Sequence, residues 1–211
     1  RAGGHLWRTS GDLLDQWFNL ESVGFRQAGR EPWSGPGHWN DTDMLVVGTV
    51  GWGPNLHPTR LTPNEQMLHL ALWALQAAPL FIGADLSRLD DFTLALLTND
   101  EILDVDQDPL GKAGGRVRKE GRLEIWARPL ADGTHAVGLF NRGLGPKAVT
   151  VRWADIGLSG TQHVRDLWLR KDLGAFKEAF TATVPRHGVV FVQVGRPAPH
   201  FEPPSLNNTK A

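Results

Sequence analysis

The sequence predicts an α/β segment followed by an all-β one. Residues 1–113 read as the C-terminal strand-helix units of a (β/α)8 TIM barrel, incomplete in this chain; 114–196 read as an antiparallel Greek-key β-sandwich; 197–211 read as a tail or linker. Three observations predict this. Short apolar runs alternate with helix-length segments through the first half. The hydrophobic period changes from helical to two near Arg116. Turn residues then recur at short intervals as far as Val194.

His5-Leu6-Trp7-Arg8 reads as a strand ending at polar Thr9-Ser10-Gly11, after which Leu14, Trp17, Phe18 and Phe25 fall roughly on one helical face. Met44-Leu45-Val46-Val47-Gly48 is continuously apolar, as a parallel strand buried on both faces requires. Thr62-Pro63-Asn64-Glu65 starts a helix: Thr caps it, Pro takes the first helical position and Glu reaches back. Met67, Leu70, Ala71, Ala74, Leu75 and Ala78 then share one side, and Pro79 is expected to end the helix. Leu80-Phe81-Ile82-Gly83 supplies another apolar strand, ending in Asp85, and Asp91 to Thr98 reads as helical again. Three strand-helix units in a row imply parallel strands with right-handed crossovers. The carboxyl ends of such strands carry the chemistry, and Arg8, Asp12, Asp43 and Asp85 fall there.

Gln107-Asp108-Pro109-Leu110-Gly111 breaks the pattern. Leu123 to Arg128 alternates, Asp132-Gly133 makes a hairpin turn, and Ala136 to Phe140 answers it. Further strands are expected near Val149–Trp153, His163–Trp168, Phe180–Val184 and Val189–Val194, giving a sandwich of about seven strands.

Composition removes several classes of function. With 22 basic and 23 acidic side chains the net charge is -1, so no cationic field exists to gather nucleic acid or anionic lipid, and neither is an expected partner. No apolar stretch approaches the roughly 20 residues that span a bilayer. No signal-peptide pattern opens the chain, yet it begins on Arg1 rather than Met. The expectation is therefore that the true N-terminus lies further upstream, which leaves a secreted or periplasmic location open. Cysteine is absent, which excludes disulfides, thiolate nucleophiles and sulfur-based zinc sites. The eight His lack paired-ligand spacing, so no metal is expected. Gly48–Gly53 and Gly111–Gly115 lack the Lys-Ser/Thr of a phosphate loop, and no Gly-x-Ser-x-Gly elbow occurs. Nine Trp without a Tyr is unusual; indole faces suit the C–H face of a sugar ring, although most of these Trp should fill core. Asn207-Asn208-Thr209 matches a glycosylation sequon, a triplet that also arises often by chance.

Leu6-Trp7-Arg8-Thr9-Ser10-Gly11-Asp12, Gly35-Pro36-Gly37-His38-Trp39-Asn40-Asp41-Thr42-Asp43-Met44-Leu45, Ala77-Ala78-Pro79-Leu80 and Asp106-Gln107-Asp108-Pro109-Leu110-Gly111 together closely resemble the α-galactosidase (melibiase) family, glycoside hydrolase family 27. The resemblance is dense to about Arg116 and looser in the β segment. Thr42 departs from it, standing where the family usually has Pro.

The resemblance implies a retaining glycosidase acting on terminal α-linked galactose, needing no cofactor because two carboxyl groups about 5–5.5 Å apart suffice. It makes Asp12 the general acid/base, with a pKa expected to be raised by a like charge and partial burial. It makes Arg8 a contact to the sugar's 2-hydroxyl side that also orients Asp12, and Asp43 and Met44 the pocket floor. Trp39 is expected as a wall of the site, with Trp52 a weaker candidate for stacking on sugar. In the family the nucleophile belongs to an earlier Lys-x-Asp strand, so this chain is expected to be the back part of a longer enzyme, inactive without the front half of its barrel. The same family includes α-N-acetylgalactosaminidases and β-L-arabinopyranosidases, which remain alternatives.

Plainer roles compete. Asp12 could cap a helix; Asp41 is expected to be structural; Asp85 divides equally between pocket and turn. A non-catalytic carbohydrate-binding protein is the rival from another class. It predicts a covered sheet edge, whereas an enzyme fragment predicts an exposed apolar edge at His5–Arg8.

Overall fold

The computed structural model describes residues 4–195, so Arg1, the expected tail at 197–211 and the Asn207-Asn208-Thr209 sequon lie outside the described residues. Strand β1 (Leu6–Arg8) runs parallel to β2 (Trp39–Asp41), and helix α1 (Trp17–Phe25) lies between them in sequence. The second strand thus precedes the apolar run in which the sequence places it. Met44–Gly48 instead joins its neighbour through one parallel bridge, Leu45 to Ile82. Leu45 N–H donates to Phe81 O at 2.6 Å and Gly83 N–H donates to Leu45 O at 2.9 Å. The cause lies one residue earlier: Asp43 has φ of 86°, which turns the backbone off the extended path directly after β2.

The face expected for α1 is also different. Leu14 precedes the helix and is 51% exposed, and Phe18 is 66% exposed; Leu20, Val23 and Phe25 form the buried side. A two-residue ladder, β3 (Thr49–Val50) with β4 (His57–Pro58), closes the loop that follows. Helix α2 (Pro63–Gln76) starts on the expected capping box: Thr62 N–H donates to Glu65 Oε2 at 2.7 Å and Glu65 N–H to Thr62 Oγ1 at 3.4 Å. It ends at Ala77, in the left-handed region at φ 50°, before Pro79 is reached. Helix α3 (Asp91–Leu97) follows as expected, and a further helix, α4 (Asp100–Asp106), has its own cap in Asn99.

The all-β part contains β5 (Gly115–Glu120), β6 (Leu123–Pro129), β7 (His135–Asn141), β8 (Lys147–Arg152), β9 (Thr161–Asp166), β10 (Lys171–Lys177), β11 (Ala179–Val184) and β12 (Gly188–Gly195). Two strands go unnamed in the sequence reading, β5 and β10; they are the two edge strands of the large sheet, and both carry little apolar alternation. One sheet has the order β10-β9-β12-β7-β6-β5, and the β11-β8 pair packs on it.

The central strands of the large sheet are buried on both faces. On one face Ala136, Phe140, Val189 and Phe191 join Trp126 and the side chains of α2 in a single core. On the other, Val137, Leu139, Val192 and Val194 meet Val149, Val151, Phe180 and Val184. Helix α2 is accordingly enclosed all round rather than along the single stripe expected: Leu68, Leu70, Leu72, Trp73 and Leu75 are at most 1% exposed. Polar contacts lock the same seam. His187 Nδ1 lies 2.6 Å from Glu65 Oε1, with its ring stacked on Trp17 at 3.9 Å. Arg128 Nη1 donates to Ala74 O at 2.6 Å, and Arg165 grips Glu101 through two bonds of 2.9 and 2.5 Å.

Gly114 lets the entering strand approach the helix end. Its N–H donates to Leu75 O at 2.7 Å, and a Cβ there would lie 2.7 Å from that oxygen and 2.8 Å from Ala127 O. Both of these are backbone and the third close neighbour is Arg128 Cβ, also 2.7 Å away, so the seam itself would have to open. Gly114→Ala is expected to lower stability by about 1–3 kcal/mol in thermal unfolding; an unchanged melting temperature would show that the seam gives freely. Asp106, at the end of α4, supplies a second test. Burial raises its pKa from 3.8 to about 7, against the opposing charge of Arg128. A folded pKa above the unfolded one means that its contribution is full below about 3.8 and lost as pH rises through about 7. Stability measured by urea unfolding should therefore favour Asp106→Asn over the wild type more at pH 8 than at pH 5, by on the order of 1–3 kcal/mol. A pH-independent difference would contradict it.

Candidate active site

Strands β1 and β2 end side by side, and their polar residues knit the two ends together. Thr9 N–H and Oγ1 both donate to Asp41 O, at 2.9 and 3.1 Å, and Ser10 Oγ donates to Thr42 O at 3.3 Å. Asp41 Oδ1 accepts Asp43 N–H at 2.8 Å, so its carboxylate shapes the turn, as expected for a structural residue. That turn aims Asp43 back across the β1 end. Asp43 Oδ2 accepts Leu13 N–H at 2.6 Å and pairs with Arg8 Nη2 at 2.9 Å, while Oδ1 accepts Met44 N–H at 2.8 Å. Behind it, Trp73 Nε1 of α2 donates to Asp43 O at 2.7 Å, and Thr42 Oγ1 donates to Gln76 Oε1 at 3.1 Å.

The Arg8 guanidinium thus stands between two carboxylates, Asp43 at 2.9 Å and Asp12 at 3.4 Å. They differ sharply in setting: the Asp43 side chain is 7% exposed, that of Asp12 92%. Asp12 is not a helix cap, because the residue preceding α1 is Gln16 and it makes no side-chain cap bond. The partial burial expected around Asp12 is not supplied by the described residues. What they supply is a cation four residues away, paired with the exposed carboxyl.

Other expected residues lie elsewhere. Trp39 opens β2, at the opposite end of the strand from Asp43, and its ring packs near Gly111. It is not a wall of the Arg8–Asp12–Asp43 cluster, because a parallel strand carries its first residue away from its carboxyl end. Asp85 has the turn role: it accepts Ser87 N–H at 3.0 Å and Ser87 Oγ–H at 2.6 Å, bonds that hold its carboxyl below the ordinary range, with Arg88 adding to the effect. Met44 follows Asp43 but faces a separate cleft of about 490 Å³, shared with Leu13, Trp52, His57 and Arg60. A second cleft, of about 620 Å³, lies between β1 and α1, with Trp7, Arg8, Arg26 and Trp33 among its walls.

One buried network was not anticipated. Asp15 Oδ2 accepts Arg60 N–H at 2.9 Å and lies 3.2 Å from His57 Nε2, while Oδ1 accepts Arg60 Nη1 at 3.2 Å. Its partners are more than forty residues away in sequence, so no local spacing announces it. Among the described residues no group of three His, Asp or Glu converges to hold a metal ion, and no helix is long and apolar enough to cross a membrane.

Comparison with known proteins agrees with this geometry. Residues 1–108 match the family profile described as alpha galactosidase A, and 120–194 match the alpha galactosidase C-terminal beta sandwich domain. The chain is 41% identical over 186 residues to alpha-galactosidase 2 of Arabidopsis thaliana, covering 87% of this chain and 45% of that protein. Among solved structures it is similar to a β-L-arabinopyranosidase of Geobacillus stearothermophilus, with a TM-score of 0.84 and 32% identity over 92% of this chain and 46% of the other. It is also similar to alpha-galactosidase I of Mortierella vinacea, with a TM-score of 0.80 and 26% identity over 92% of this chain and 53% of the other. The chain therefore spans about half the length of these relatives. Two profiles in barrel-then-sandwich order, over the same strand ends that gather Arg8, Asp12 and Asp43, establish that the chain belongs to the α-galactosidase (melibiase) family, glycoside hydrolase family 27.

Proposed function

We propose that this chain is the C-terminal part of a retaining α-galactosidase. Residues 1–113 would supply the last strand-helix units of its (β/α)8 barrel, 114–196 a Greek-key sandwich and 197–211 a tail or linker. The observation that carries the reading is Arg8 held between buried Asp43 and exposed Asp12 at adjacent strand ends.

In this reading Asp12 protonates the departing glycosidic oxygen, then as a carboxylate takes a proton from the attacking water. Arg8 orients it and faces the sugar's 2-hydroxyl side. Asp43, with its backbone bonds already made, offers the floor of the pocket, and Met44, the next residue, extends that floor toward the neighbouring cleft of about 490 Å³. The nucleophilic carboxylate, about 5–5.5 Å from Asp12, comes from the front half of the barrel. The sheet edge supports such a neighbour over a self-contained carbohydrate-binding module. Among the described residues β1 pairs only with β2, and Leu6 and Trp7 are 40% and 36% exposed. The isolated chain is then inactive, and its front half is its first partner. A β-L-arabinopyranosidase is the second reading, favoured by the similarity to the Geobacillus stearothermophilus enzyme. Hydrolysis rates of paired aryl α-galactoside and β-L-arabinopyranoside substrates decide between them.

In the complete gene product, Asp12→Asn should lower hydrolysis of aryl α-galactosides with poor leaving groups by about 10²-fold or more, with little change in melting temperature. Full turnover by that variant would remove Asp12 from the chemistry. Asp43→Ala leaves the Leu13 and Met44 N–H groups unpaired and strips Arg8 of its closest anion. It should cost about 1–3 kcal/mol in urea unfolding, and an unaltered midpoint would mean that water replaces the carboxylate without loss.

A further inference from the structure

The Asp12 carboxyl stands in solvent, 92% exposed, and among the described residues Arg8 Nη2, at 3.4 Å, is its one polar side-chain partner. A short side chain with a single long ion pair is placed chiefly by the backbone that carries it. That backbone lies between β1 and α1, outside both, so neither ladder nor helical hydrogen bonds hold it.

Side chains hold it instead. Leu13 N–H donates to Asp43 Oδ2 at 2.6 Å, and Leu14 N–H donates to Asn19 Oδ1 at 2.7 Å. Asn19 Nδ2 turns back toward Asp12 O, at 3.5 Å. Asp15 anchors the far end of the segment on Arg60 and His57. Two consecutive amides after Asp12 are thus fixed from two different elements, by Asp43 beyond the end of β2 and by Asn19 in the first turn of α1. A polar side chain in a first turn can serve the helix's own free N–H groups. The Asn19 oxygen serves the loop that carries Asp12. The Leu14 side chain is 51% exposed, so packing does little to hold this residue and its amide bond matters more.

We propose that Asn19 is a positioning residue: by fixing the Leu14 amide against α1, it sets where the Asp12 carboxyl stands relative to the departing glycosidic oxygen. The inference rests on the galactosidase reading above and adds a residue which that reading does not use. The test uses the complete gene product and two aryl α-galactosides. One carries a dinitrophenol leaving group, which departs without a proton; the other carries a methoxyphenol, which needs one. The quantity read is kcat/KM on the methoxyphenyl substrate divided by kcat/KM on the dinitrophenyl one, a ratio that does not change with the fraction of enzyme folded. Asn19→Ala should lower this ratio about tenfold or more. Asn19→Asp, which keeps an oxygen for Leu14 N–H, should recover most of the loss. Asn19→Leu keeps the volume and reads the same ratio should the alanine variant not fold. An unchanged ratio, or an aspartate variant as impaired as the alanine one, would overturn the proposal. If the wild type cleaves neither substrate, the galactosidase reading fails and Asn19 has nothing to position. Cleavage of both with the ratio unmoved by substitution sinks the positioning role alone.

Discussion

From Leu68 onward helix α2 has no side facing water, and the rest of the structure is arranged around that constraint. A helix enclosed all round must be covered from both directions. The barrel units cover one flank; the large sheet covers the other with Trp126, Phe140 and Phe191. The α/β and all-β parts, which might have met through a thin, polar seam, instead share one apolar core. A shared core of this kind couples their stabilities, because exposing α2 from either side uncovers the same leucines.

The site inherits its order from this helix. Trp73 and Gln76, on α2, bond the backbone of Asp43 and the side chain of Thr42, so the turn carrying the buried carboxylate is fastened to a fully buried stretch of that helix. Asp43 in turn aligns Arg8, and Arg8 reaches Asp12. Burial therefore falls away outward, from a fully enclosed indole to a carboxyl in solvent. The left-handed Asp43 is part of the same arrangement: the φ that interrupts the strand is what turns its carboxylate onto Leu13 N–H and Arg8.

The seam also holds polar groups at some cost. Arg128 is fully buried with Nε and Nη2 lacking protein partners, and Asp106 nearby has an oxygen in the same condition. Burial drives the Asp106 carboxyl upward, and the Arg128 charge only partly offsets it. The bidentate Arg165–Glu101 pair and the His187–Glu65 contact show the opposite outcome, in which geometry satisfies the charge.

By itself the sequence determined what local chemistry can specify: the capping box at Thr62, the Asp132-Gly133 hairpin, the change of hydrophobic period and the order of the barrel and sandwich parts. It also put Arg8 and Asp12 at a strand end, since strand, turn and acid follow one another there within a few residues; Asp43 follows a strand because β2 ends at Asp41, ahead of the apolar run in which the sequence reading places that strand. Tertiary structure alone decided that α2 is enclosed all round, that Leu14 and Phe18 face outward, and that Trp39 sits at the far end of its strand from the cluster. It also decided that Asp15 gathers His57 and Arg60. These features depend on contacts between residues far apart in the chain, and a hydrophobic pattern records which residues avoid water without recording which surface they meet.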